Sequence, residues 1–315
     1  MKLLQGHLRQ YIAARRALGT QLREPAKTLS KFVQFLGRKN AKFITVALAL
    51  EWSQRSKNVQ PATWARKLSM VRQFARWLSV IEPRHQVPPP RLLNVRHRRN
   101  KPHIYSDQEI TELMAAAAAL KSLRRMKGLT LGTLIGLLAA TGLRPGEAAA
   151  LENQDVDFEG GVLIIRESKF DKSRLVPIHV SVVTALEEYA DERNRIFPIP
   201  CSSAFFVSDR GTPLDLSVVR RWFREVSRSC GLRKAPEGER YDRGPRLQDL
   251  RHSFATKRLL EWYRAGCNVP LQMPKLTTYL GHSSVACTYW YIEAVPELLQ
   301  MATEFQLAAA QGGRR

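Results

Sequence analysis

Four short segments hold side chains able to open a phosphodiester: TGLRPGEAAAL (Thr141 to Leu151), ESKFDKSRLVPI (Glu167 to Ile178), LQDLRHSFAT (Leu247 to Thr256) and YLGHSSVACTYWYIE (Tyr279 to Glu293). They contribute Arg144 and Arg251, Lys169 and Lys172, His252 and His282, and Tyr289 and Tyr291. Cleavage without a metal needs groups that neutralise charge developing on the non-bridging oxygens, and paired guanidiniums do so bidentately at any working pH. A phenol can form a covalent phosphotyrosine that stores the energy of the broken bond. A lysine in a positive field can give a proton to the departing oxygen. Taken singly, each arginine reads as a surface or DNA-backbone contact. Arg144 stands before Pro145, a residue suited to the first helical position, so a helix dipole adds to its field; Glu147 reads as a helix-start carboxylate.

In this order the segments resemble the motifs of the tyrosine recombinase (phage integrase) family: TGLRxxEL, a lysine on a β-hairpin, HxLRH and LGHSSxxTTxxY. The resemblance covers about residues 104 to 315. It implies a site-specific recombinase or integrase of a mobile genetic element, active in DNA integration or transposition. Such an enzyme cuts and rejoins DNA through a 3′-phosphotyrosyl intermediate without metal or other cofactor. It implies Arg144 and Arg251 as the phosphate-binding pair, Glu147 as support for Arg144, His282 as a hydrogen-bond donor to the scissile phosphate, and His252 as a structural hydrogen-bonding residue. Alignment of the last box places Tyr291, nine residues after His282, at the nucleophile position, with Cys287 and Thr288 over the two threonines. Tyr279, Tyr289 and Trp290 are then packing aromatics. The hairpin lysine is Lys169 or Lys172, with Lys169 the better fit to the turn and the other left for a DNA contact. One departure stands out: position 248, where the family most often has histidine, is Gln248, which can hydrogen-bond a phosphate oxygen but cannot carry the tyrosine proton. Two other readings share the motifs, a catalytically impaired DNA-binding accessory factor and a type IB topoisomerase-like relaxing enzyme. The segment between Arg251 and His282 is also longer than usual for the family.

The elements that must position these residues fall into two modules. Between Met1 and His103 there are 22 Lys and Arg against 3 Asp and Glu, which is +19 of the chain's +22. So basic a segment calls for a polyanion, and double-stranded DNA is the expected partner. Helical periodicity covers Leu3 to Leu18, Ala26 to Gly37 and Pro61 to Val80. In the last, Trp64, Leu68, Val71, Phe74, Ala75 and Leu78 form an apolar stripe flanked by Arg66, Lys67, Arg72 and Arg76, candidate DNA contacts. This predicts a helical core-binding domain over 1–82. A basic, proline-rich linker over 83–103 follows, whose Arg96, Arg98 and Arg99 are further DNA candidates. The catalytic domain, 104–315, is expected to be mixed α/β, making the whole mainly α with a small antiparallel sheet, a two-domain clamp.

Within it, SDQE from Ser106 to Glu109 reads as a capping box for a helix through Leu120, and Gly142 as the stop of a helix over Leu129 to Ala140. Gly161 to Glu167 and Arg174 to Ile178 read as paired strands, and Ser181 to Asn194, Leu216 to Cys230 and Leu247 to Ala265 as helices. A last helix at about 296–310 either covers its own domain or docks on a neighbouring protomer. The family implies a homo-oligomer, a tetramer in the synaptic complex and a monomer or dimer alone. Four scattered cysteines without CxxC spacing exclude a zinc module or a disulfide scaffold. The apolar run from Leu129 to Leu143 is too short to span a bilayer, so a cytoplasmic protein with no membrane contact is expected.

Overall fold

The computed structural model describes residues 2–20, 22–56, 59–95, 101–168, 172–233 and 244–312. The chain divides into two compact units, Met1–Asn100 and Lys101–Arg315.

The first unit is helical: α1 (Lys2–Ala17), α2 (Arg23–Arg38), α3 (Val46–Gln54) and α4 (Pro61–Ile81). The stripe on α4 does the packing: Leu68, Val71, Phe74, Ala75 and Leu78 are buried against Leu8 and Tyr11 of α1 and Leu29, Phe32 and Leu36 of α2. Such burial contributes roughly 1.5–3 kcal/mol per large side chain. Trp64 lies at the stripe's edge, its indole N–H donating to the Ser56 carbonyl at 3.0 Å. Thr45 caps α3 by accepting from the Leu48 N–H at 3.2 Å. The proline-rich stretch after α4 begins tied to this unit: His85 is buried and accepts from the Ile44 N–H at 3.0 Å, and the Gln86 N–H donates to the Ile44 carbonyl at 2.8 Å.

The second unit is mainly helical with one small sheet. Helices α5 (Asp107–Ala118) and α6 (Met126–Thr141) pack on each other. Ser106 and Glu109 form the expected capping box, and Gly142 ends α6 in the left-handed conformation at φ 62°. A one-turn helix, α7 (Pro145–Ala149), leads to an antiparallel sheet in the order β1 (Val156–Asp157), β2 (Val162–Ser168), β3 (Lys172–Pro177). The register pairs Leu163 with Val176 and Ile165 with Arg174. Alternation turns Leu163, Ile165 and Val176 to the core, and it carries Arg174 inward with them.

Helices α8 (Val180–Ile196) and α9 (Leu216–Ser229) complete the main core, with Tyr189, Phe205, Phe206 and Phe223 at its centre. A smaller core joins α10 (Asp249–Arg264), α11 (Val269–Leu280), α12 (Ala286–Ala294) and α13 (Pro296–Gly312). Helix α11 occupies the stretch that looks long in the sequence. Asn268 caps it and Pro274 lies inside it. Helix α13 rests on its own unit: Leu298 is buried, Arg264 pairs with Glu297 at 2.9 Å, and Tyr263 meets Phe305 edge-on. Among the described residues no helix is long and apolar enough to cross a membrane.

Candidate active site

The four segments converge at the junction of α7, β3, α10 and α12. Arg144 precedes α7 with extended backbone, and Glu147, three residues on, accepts its N–H at 3.0 Å and its guanidinium at 2.6 Å. The other Arg144 terminal nitrogen donates to the Gly281 carbonyl at 2.9 Å. Glu147 also receives Arg174, at 2.8 and 3.3 Å, while Arg174 Nε donates to the Tyr279 carbonyl at 2.9 Å. Burial alone would raise the Glu147 carboxyl, but the hydrogen bond and charge of Arg174 and the Arg144 N–H outweigh it and hold it below its ordinary value. The carboxylate therefore steadies two arginines, one of which sequence reasoning treated only as a strand residue.

Arg251 projects from α10 and is 2% exposed. Its terminal nitrogens donate to the carbonyls of Gly142 at 2.9 Å and Leu280 at 2.7 Å. Neutral acceptors leave its charge uncancelled, and burial pulls it below the usual arginine value, opposed by nearby Tyr291. Two glycines make this packing possible. At Gly142 a Cβ would lie 2.5 Å from the Phe254 ring, and at Gly281, with φ 67°, 2.6 Å from an Arg174 nitrogen.

Helix α12 places Tyr291, 3% exposed, among three rings: His252 at 5.3 Å, Trp290 at 5.7 Å and His282 at 5.8 Å, the last nearly parallel. Tyr289 is 41% exposed. His282 meets Thr288 Oγ1 through Nδ1 at 2.8 Å. Burial, then Arg251, Arg144 and Arg174, lower its pKa to about 4. Burial does the same to His252, also to about 4; its edge meets Trp290, and its buried Nδ1 has no hydrogen-bond partner among the described residues.

Gln248 precedes α10 and lines a cavity of about 400 Å³ with Arg144, Glu147, Asp155, Arg166 and Arg220. Arg166 is held by Asp155. Neither Arg166 nor Arg220 was singled out by sequence; both belong to secondary-structure elements whose placement, rather than motif, brings them here. Lys169 lies outside the described residues. Lys172 opens β3 opposite Ser168.

In the first unit the candidate DNA contacts have varied surroundings. Arg66 pairs with Glu24, and Lys67 donates to Ser56 Oγ at 2.6 Å and lies over the Trp52 ring. Arg72 donates to the carbonyls of Pro88 and Pro89 at 2.8 and 2.9 Å, and Arg76 is exposed. Arg96, Arg98 and Arg99 lie outside the described residues.

The phage integrase family matches over residues 104–297, a span that contains all four segments. The chain belongs to that family. Among its relatives, integrase/recombinase y4rB of Sinorhizobium fredii is 41% identical over 306 residues, covering 96% of each chain. Tyrosine recombinase XerD of Caulobacter vibrioides is 30% identical over 247 residues, 78% of this chain and 74% of that protein. The fold is shared with the Tn1549 transposon integrase solved with transposon right end DNA, at a TM-score of 0.63 and 17% identity over 91% of this chain and 93% of that one. As a member of the phage integrase family, the chain is a site-specific tyrosine recombinase that binds DNA and breaks and rejoins its strands.

Proposed function

We propose that Tyr291 is the nucleophile of this recombinase and that Arg144, Arg251, His282 and Gln248 surround the scissile phosphate. One observation carries this reading: residues far apart in sequence bring two guanidiniums fixed on backbone carbonyls to the rings around Tyr291. Guanidiniums locked before substrate arrives need no reorganisation as charge develops, which is the condition for strong transition-state stabilisation. Tyr291 Oη attacks the phosphorus, the 3′-phosphotyrosyl bond forms and the 5′ oxygen leaves with a proton from Lys169, with Lys172 the other candidate. Rejoining runs the same steps backwards with a 5′-hydroxyl as attacking group. Tyr291 is almost fully covered, so DNA binding has to open the ring packing around it.

Both units contribute to DNA binding in this reading: residues 1–82 as a helical core-binding domain, Arg76 and its neighbours at the backbone, and residues 104–315 as the catalytic domain. The active assembly is a homo-oligomer, a tetramer at synapsis, in the bacterial cytoplasm. The test is covalent capture. A pool of nicked duplexes of randomised sequence is offered to the protein, and complexes surviving denaturation are recovered. Wild type yields adducts and Tyr291→Phe yields none while still binding the recovered duplex. Capture by Tyr291→Phe at the wild-type level refutes the assignment, and absence of capture by wild type, with binding intact, favours a DNA-binding accessory factor.

A further inference from the structure

Hydrogen counting beside α12 fixes which nitrogen of His282 carries a proton. Thr277 Oγ1 donates its one hydrogen to the Met273 carbonyl at 2.7 Å. Its 2.8 Å contact with Thr288 Oγ1 must therefore use the hydrogen of Thr288. Thr288 has none left for His282 and accepts from Nδ1 at 2.8 Å. In the neutral ring this leaves Nε2 as an unprotonated acceptor. Both threonines are buried, so the chain of hydroxyls is sheltered from exchange with water.

The surroundings keep the ring in that form. Arg144 ahead of α7, Arg174 on β3 and Arg251 on α10 oppose a proton on it, as burial does, while Glu147 on α7 acts the other way. The Tyr291 ring lies beside it at 24° and 5.8 Å, and His252 of α10 meets Tyr291 edge-on at 5.3 Å. At position 248, near Arg144, stands an amide that cannot take up a proton.

We infer that His282 Nε2, held as an acceptor by the Thr277–Thr288 hydroxyl chain, takes the phenolic proton of Tyr291 during strand cleavage. The inference rests on Tyr291 being the nucleophile. The Oη–P bond forms, the P–O5′ bond breaks, the phenolic proton moves to Nε2, and the 5′ oxygen takes its proton from the hairpin lysine, Lys169 or Lys172. Rings side by side are not aligned for direct transfer, so one oxygen, a water or a non-bridging phosphate oxygen, bridges Oη and Nε2. The imidazolium so formed then donates to the phosphate, and rejoining returns the proton to the phenol. His282 is the catalytic residue of this step; Thr288 and Thr277 are positioning residues. A glutamine at position 248 is compatible with activity because the proton has another destination.

The experiment measures single-turnover adduct formation by the full-length protein on a duplex recovered by covalent capture, across about pH 6 to 9. His282→Gln, which can still donate to phosphate, should lose about 10²-fold near neutrality, with the gap to wild type narrowing as pH rises and solvent takes the proton. Thr288→Val should lose about tenfold, and histidine ¹⁵N spectra should show His282 passing from one Nδ1–H tautomer to a mixture. Gln248→His should gain less than about tenfold. A His282→Gln deficit that stays constant with pH, a free wild-type His282 protonated on Nε2, or a Gln248→His gain near 10²-fold overturns the inference while leaving Tyr291 as nucleophile. An adduct formed by Tyr291→Phe overturns the nucleophile assignment and this inference together.

Discussion

The two units fasten arginines to backbone carbonyls by the same device and use the result differently. In the first, Arg72 holds the carbonyls of Pro88 and Pro89 and so straps the start of the basic stretch onto α4. In the second, Arg144, Arg174 and Arg251 hold the carbonyls of Gly281, Tyr279, Gly142 and Leu280, and two of these guanidiniums, those of Arg144 and Arg174, share one carboxylate, Glu147. The first unit carries most of the chain's net charge, yet the cations arranged for chemistry lie in the nearly neutral second unit. Net charge measures long-range attraction to DNA, whereas fixed geometry decides where charge acts at bond-breaking distance.

The widest separation between the units should appear when one carbonyl-bound arginine is changed in each. Arg251→Lys keeps the charge but loses the fork, so cleavage should fall by about 10³-fold with little change in DNA affinity. Arg72→Ala should leave single-turnover cleavage unchanged and destabilise the first unit by about 1 kcal/mol, read from urea unfolding. Similar cleavage losses in both variants would remove the distinction. Arg174→Leu comes next: Glu147 would turn wholly to Arg144, cleavage should drop by about 10²-fold, and stability by about 2 kcal/mol because a buried ion pair loses one partner. A stability loss with full activity would make Arg174 a fold residue only.

Acid separates the units more gently. Native His252 and His282 resist protonation down to about 4, whereas unfolded histidine titrates near 6.5. As pH falls through that window the unfolded chain takes up protons first, so stability is constant above about 6.5 and declines below it. Allowing for solvent around these half-buried rings, the loss is about 1–2 kcal/mol by pH 4. His85 in the first unit shifts in the same direction, burial being the main cause. The urea midpoint of the full chain should follow this decline, and the decline should weaken in His252→Phe; a variant with the full wild-type slope would contradict the assignment. Smallest of all, Arg76→Ala should reduce the slope of log K against log salt by about 0.9, the share of one phosphate contact, while Arg72→Ala leaves it unchanged.

Much of this arrangement is legible in the sequence where a local rule coincides with the fold. The α4 stripe is read from period 3.6 and is buried, with Trp64 only half covered at its margin. The Ser106 capping box and the Gly142 stop are read from residue type and appear as expected. Tyr291 and His282 are close in sequence, and one helix and its preceding loop keep them together. What escapes depends on long-range register. Arg174 reads as one residue of a strand until pairing with Ile165 turns it inward onto Glu147. The hold of Arg72 on the carbonyls of Pro88 and Pro89 escapes because it depends on how the prolines that follow α4 fold back. Helix α11 escapes because Pro270 and Pro274 argue against it locally, although one lies in its first turn and the burial of Met273 and Leu276 outweighs the other.

The account turns on which oxygen attacks. The most direct measurement is peptide mapping of the covalent complex after digestion, with fragmentation locating the nucleotide on the segment from Ser283 to Glu293. A 3′-phosphoryl group on Tyr291, formed equally well by Tyr289→Phe, is the result this arrangement requires. A nucleotide on Tyr289, lost in Tyr289→Phe and kept in Tyr291→Phe, would contradict it.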